Sequence, residues 1–211
     1  MATHERIDTH REPRVLVPLR TARALVPPTS SFRSTWLSSS LRALRERGHL
    51  DAYLAKLPEA YHALVLAPVV GVWLPDEVAV AHYRACDALN LPPAEAFAIG
   101  YDVARHAQQT LLSTAATLAK AAGVTPWTLL SQMQKLWTRI WNGGDLTVLS
   151  LGPKEARLEI VGWTSARIPY CRIAMRGVLQ GMLDMFCRRG YVTEWRPGCS
   201  DTSLAYRIAW V

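Results

Sequence analysis

Residues 145–210, DLTVLSLGPKEARLEIVGWTSARIPYCRIAMRGVLQGMLDMFCRRGYVTEWRPGCSDTSLAYRIAW, decide the fold. Leu146 and Val148 alternate with polar neighbours, Gly152-Pro153-Lys154 is a turn, and Ala156, Leu158 and Ile160 alternate with Arg157 and Glu159. That period of two is a β-hairpin. Cys171, Ala174, Met175, Val178, Leu179, Met182, Leu183 and Phe186 then recur at steps of three and four, one apolar face of an α-helix, with Arg172, Arg176, Gln180, Asp184 and Arg188 on the other side. Tyr191 to Trp195 and the alternation Leu204, Tyr206, Ile208, Trp210 supply a second hairpin. A one-faced helix needs a surface to cover, and the strands on either side of it provide one.

Upstream of this unit the period is helical. Leu41 and Leu44 precede a stop at Gly48, short helices follow near residues 51–56 and 58–66, and Pro75 opens another that runs to about Leu89. A long helix is predicted from Pro93 to Ala122, and Thr125-Pro126-Trp127 opens the next, which runs to Trp141 before Asn142-Gly143-Gly144. Residues 14–19 read as a short strand at most. The expected fold class is therefore α+β: an N-terminal helical bundle packed on a four-stranded antiparallel sheet, made of two hairpins linked by a long helix. Residues 1–30 form a mostly disordered or extended basic segment. Residues 31–211 form a single domain, helical to about residue 142, with hairpin, helix and hairpin over 145–211.

Composition narrows the function classes. Half of the 211 residues are apolar, enough for one substantial core. The formal charge is +7, from 24 Lys plus Arg against 17 Asp plus Glu. The arginines among the first fifty residues are mostly isolated, so they read as solvated surface, and a nucleic-acid partner is disfavoured. The charged start, MATHERIDTHREPR, lacks the apolar core of a signal peptide. The longest apolar stretch, 63–75, is broken by Pro68 and Gly71 and falls short of the ~20 residues that span a bilayer. A cytoplasmic protein with no membrane span is expected. Cys86, Cys171, Cys187 and Cys199 form no CxxC pair and are expected to stay reduced.

Chemistry-bearing spacings are few. His82 and Cys86 stand four apart on a predicted helix, where two side chains can face one metal, but two ligands do not make a site and metal is disfavoured. Asp102 and His106 share that spacing, which would let a carboxylate orient an imidazole for proton transfer or for a haem iron. No phosphate loop, nucleophile elbow or HExxH is present, and no catalytic residue is assigned. The aromatics say more. Trp127, Trp137 and Trp141 share one helix, and Trp163, Tyr170, Trp195, Tyr206 and Trp210 lie on or beside the sheet. Rings in these numbers build a core, or enclose an apolar pocket. Gly177 and Gly181 at the edge of the long helix's apolar face allow another backbone to come close, whether a strand, a helix or a second subunit.

Residues 45–211 resemble an uncharacterised myxobacterial paralogous family. The matching features are Leu57-Pro58 with Tyr61, Trp73-Leu74-Pro75, Ile99-Gly100, Thr125-Pro126-Trp127, Gly152-Pro153-Lys154-Glu155-Ala156 and Tyr206-Arg207-Ile208-Ala209-Trp210. That family is similar to the superfamily of four-vinyl-reductase-like domains, haem-nitric-oxide-binding domains and Bet3-type tethering subunits, on Cys171, Gly177 and Gly181 within hairpin, helix, hairpin and on the Gly100 helix. The resemblance implies a helical bundle on a four-stranded sheet that binds a small hydrophobic molecule or assembles as a dimer. The Tyr-x-Ser-x-Arg haem-propionate motif of the nitric-oxide-binding domains is absent, which argues against haem even with His106 available. The Cys-rich pattern of the vinyl-reductase-like domains is reduced to Cys171 and Cys199.

The functional expectation is a non-enzymatic sensory or regulatory module holding a small, largely apolar ligand between the long helices and the sheet, its cofactor unassigned. Trp137, Trp141, Cys171, Met175 and Trp210 are the expected lining, Arg172 and His106 the polar anchors, and Gly177 and Gly181 the oligomer interface of a homodimer or of a contact with another protein. Two alternatives stand beside it. One is an assembly or adaptor protein with a dry core; the other is an Arg-rich nucleic-acid binder.

Overall fold

The computed structural model describes residues 13–67, 69, 71–107 and 125–211. The expected tail over residues 1–13 and the end of the predicted long helix fall almost wholly outside them. The alternating stretches become strands β5 (Asp145–Gly152), β6 (Glu155–Val161), β7 (Gly190–Glu194) and β8 (Ser203–Trp210). Register follows the apolar pattern: Leu146 pairs with Ile160, Leu158 with Tyr206, and Val192 with Ile208. One face of the sheet is thereby continuous hydrocarbon.

The sheet has five antiparallel strands, not four. β1 (Arg14–Val17) pairs with β5 at its free edge, so the order is β1-β5-β6-β8-β7. A four-residue strand carries little periodic signal, and side chains distant in sequence fix it. Arg20 donates through its backbone N (2.6 Å) and Nε (3.1 Å) to the buried Asp145 carboxylate, Thr147 Oγ donates to the Val17 carbonyl (2.7 Å), and Arg23 pairs with Glu159 at 2.5 Å. A second, three-stranded sheet was also unforeseen. β2 (Ser31–Arg33) lies between β3 (Trp73–Pro75) and β4 (Trp141–Asn142), with Phe32 opposite both Leu74 and Trp141.

Seven α-helices are described: α1 (Ser34–Glu46), α2 (Leu50–Leu54), α3 (His62–Leu66), α4 (Asp76–Asp87), α5 (Pro93–Ala107), α6 (Pro126–Ile140) and α7 (Pro169–Leu183). Pro opens α5, α6 and α7, where its missing N–H is not needed. The apolar face of α7 covers the sheet, and burying each of Val178, Leu179 and Leu183 contributes about 1.5–3 kcal/mol.

The opposite edge of α7 crosses α5 at very short range. A Cβ at Gly100 would strike the Ala174 carbonyl, one at Gly177 the Phe97 carbonyl, and one at Gly181 would lie 2.9 Å from the Ala104 Cβ. The close neighbour of Gly177 and Gly181, where an oligomer interface was expected, is α5 of the same chain. No helix among the described residues is long and apolar enough to cross a membrane.

Candidate ligand site

The apolar face of α6, with Met133, Leu136, Trp137 and Ile140 at helical spacing, leans towards Met175, Val178, Leu179 and Met182 of α7. Leu146 of β5 and Ile160 of β6 form the floor, and Trp36 of α1 closes the top. Between them is a cleft of about 50 Å³ lined entirely by aliphatic, thioether and aromatic side chains.

Four aromatic rings close one end. Trp141 stacks on Phe32 (5.3 Å between centroids) and on Trp137 (5.6 Å), and Trp163 meets Trp137 and Trp141 edge-on at 5.7 and 5.5 Å. Ring contacts of this kind add about 0.5–1.5 kcal/mol each beyond area burial. The Trp137 indole donates to the Gly143 carbonyl (3.1 Å), reached because Gly143 and Gly144 adopt positive φ of 75° and 60° and turn the chain sharply into β5.

The structure brings three of the seven expected ligand residues to this cleft: Trp137, Trp141 and Met175. Cys171 is fully buried one turn away from Met175; burial first, and the neighbouring Cys86 second, push its pKa up. Arg172 pairs with Glu194 at 2.7 Å, and its carbonyl accepts the Tyr206 hydroxyl at 2.9 Å. His106 pairs with Glu46 (3.0 Å), while Asp102, its expected partner, binds Arg47 at 2.8 Å. Trp210 packs edge-on against Trp127, 4.8 Å between centroids. These four do not line the cleft; Arg172, His106 and Trp210 are each held by a partner that helical or strand spacing cannot show.

The cleft is also lined by nine residues not expected there, among them Trp36, Met133, Leu136, Ile140 and Met182. The spacing of 133, 136, 137 and 140 carried the signal for α6; nothing local marked Trp36, which the α1 crossing delivers.

Other candidate centres are used internally. His82 is fully buried with Nδ1 2.9 Å from the Tyr53 hydroxyl and Nε2 3.0 Å from Ser40 Oγ, and burial lowers its pKa to about 3. The Cys86 thiol lies 3.8 Å from Nε2, and burial pushes its pKa up. A neutral imidazole and a protonated thiol result. Among the described residues, no three His, Cys, Asp or Glu side chains are arranged to hold a metal. Arg20, Arg23 and Arg47, part of the basic N-terminal excess, bind the fold's own carboxylates. An open groove of about 450 Å³ lies at the sheet edge beside Leu16 and Trp127, next in sequence to residues outside the described set.

With the hairpin-helix-hairpin sheet, the α5–α7 crossing and the cleft established, comparison with solved structures is decisive for the architecture. The fold is that of the H-NOX domains. An oxygen-binding H-NOX domain related to soluble guanylate cyclases, in its oxygen complex, superposes with a TM-score of 0.59 at 14% identity, over 84% of this chain and 94% of that one. An H-NOX structure bearing on the function of heme distortion gives 0.58 at 14% identity over the same shares, and a mutant of T. tengcongensis H-NOX gives 0.55 at 15% over 84% and 97%. No protein-family profile matches the chain, and no curated protein matches it in sequence. The haem-nitric-oxide-binding branch of the resemblance is supported at the level of fold. The myxobacterial branch gains no support.

The comparison also corrects the expectation about haem. A missing sequence motif had argued against it, whereas the structures sharing this fold include one described by its heme redox potential and porphyrin distortion and one by heme distortion in the H-NOX family. The described residues do not fit a porphyrin as they stand: no imidazole lines the cleft, and its volume is far below the ~300–1,000 Å³ of ordinary small-molecule sites.

Proposed function

We propose that this chain is a non-enzymatic sensory or regulatory module that holds a small, largely apolar ligand in the cleft between α6, α7 and the sheet and signals through protein contacts. The supporting observation is the lining: hydrocarbon, thioether and aromatic surfaces from six elements converge on one space, with Trp137, Trp141 and Met175 among its walls. Such a space rewards an apolar occupant and offers no group for catalysis. Occupancy would displace α7, which packs tightly on α5, and so change the outer helical surface. The fold shared with an oxygen-binding domain supports a sensing role by analogy.

Native mass spectrometry with an absorbance spectrum, on protein purified gently from cells grown with and without a haem precursor, tests this. A retained apolar molecule supports the reading, and a Soret band supports it with haem as the ligand. Bare protein that takes up neither hemin nor any member of a lipophilic panel overturns it.

A second reading rests on the small volume of the cleft and the aromatic cluster closing it: a dry-cored adaptor acting through homodimers or a protein partner. It predicts a ligand-free oligomer in sedimentation, and a strict monomer with no co-purifying protein counts against it.

A further inference from the structure

Trp36, Met175 and Val178 line the cleft, and the same three side chains border a second cavity between α1, α4, α5 and α7. It measures about 20 Å³. One water needs about 10–15 Å³, so one small atom group fits. Its chemistry differs from that of the cleft, because Ser40, Tyr83 and Tyr170 are among its walls.

Ser40 Oγ is occupied by His82. The Tyr83 hydroxyl accepts the Trp36 indole N–H at 3.0 Å, which leaves its own hydrogen available. Tyr170 is 4% exposed, and its hydroxyl has no hydrogen-bond partner among the described residues. The neighbour it senses is the Cys86 thiol, a weak partner at best. Burial holds both tyrosines well above their ordinary pKa, so both remain O–H donors. A buried donor without an acceptor costs about 1–3 kcal/mol.

We infer that the two cavities are parts of one site: the cleft takes a hydrocarbon body, and the tyrosine-walled cavity takes a single uncharged acceptor oxygen, which makes the ligand class a small apolar carbonyl compound. This rests on the ligand-binding reading and narrows it. Trp36, half-buried, lines both spaces and stands at the boundary between them. A pure hydrocarbon leaves both hydroxyls without an acceptor. A carboxylate would sit in low dielectric with no cation among the lining residues, which is heavily unfavourable.

The test uses methionine-methyl NMR of the full chain, because Met133 and Met182 report the cleft and Met175 the boundary. Cyclohexanone, cyclohexane and cyclohexanecarboxylate are titrated into the wild type and Tyr170→Phe, with Tyr83→Phe as the second variant should the first not fold. Cyclohexanone is expected to bind best. Removing one hydroxyl should weaken it by about 3- to 10-fold and leave cyclohexane unchanged. Equal affinity for cyclohexane and cyclohexanone in the wild type, or equal loss of both in the variant, overturns the inference while the apolar site stands. If none of the three probes shifts a cleft methionine in the wild type, the ligand-binding reading falls and takes the inference with it.

Discussion

Gly177 of α7 lies against the carbonyl oxygen of Phe97 in α5 so closely that no side chain fits between them. The two helices touch backbone to backbone, with Gly100 against the Ala174 carbonyl completing the crossing from the other side. Gly177→Ala should destabilise the protein by about 1–3 kcal/mol or more, since backbone rather than a flexible side chain must give way. Gly152→Ala is the control, because its Cβ would meet only Glu155 Cβ at 3.8 Å. Urea midpoints measure both, and equal shifts would remove the close crossing as the cause.

Stability should fall in mild acid through His82. Its folded pKa of about 3 lies below the unfolded value near 6.5, so the unfolded chain binds the extra proton between those limits. The contribution is complete above about pH 6.5 and declines towards pH 3, by at most ~1.4 kcal/mol per pH unit. Asp76, whose carboxyl is pushed up by burial, has the opposite sign. Comparing wild type with His82→Gln therefore isolates the histidine. Parallel stability curves for the two between pH 4 and 7 would refute its role.

Asp145 ties the N-terminal strand to the sheet. Its carboxylate accepts from the Arg20 backbone and side chain, from the Leu146 N–H at 2.9 Å and from Gln134. Asp145→Ala strands those donors and should cost about 1–3 kcal/mol. Hydrogen exchange should show protection lost at β1 before β7; uniform loss across the sheet would mean that Asp145 supports the whole fold rather than this edge.

Leu179→Ala should enlarge the cleft and destabilise by about 2–5 kcal/mol. A dry apolar cavity binds benzene. Saturating benzene should therefore raise the variant's melting temperature more than the wild type's. An identical benzene response in both proteins would show that the enlarged space has collapsed.

Strand and helix identities over 145–210 were legible because one buried face imposes a period of two or of 3.6, as Leu146, Val148, Leu158 and Ile160 do on the sheet and Cys171 to Leu183 on α7. β1 to β4 were faint or unseen. Strands of two to four residues have too few positions for a period, and Phe32 forms one only because Leu74 and Trp141 arrive on either side.

The candidate site divides in the same way. Sequence alone determined that the chain is α+β, that α7 has one apolar face, and that Trp137, Trp141 and Met175 are inside, because hydrophobic patterning is local. Tertiary structure decided where each polar group finds its partner: Arg172 at Glu194, His106 at Glu46, Gly177 against α5, and Tyr170 with none among the described residues. Those outcomes depend on helix crossings and strand pairings between segments tens of residues apart. Burial is written in the spacing of apolar residues, whereas the direction of a buried hydroxyl or charge is set only once the elements have packed.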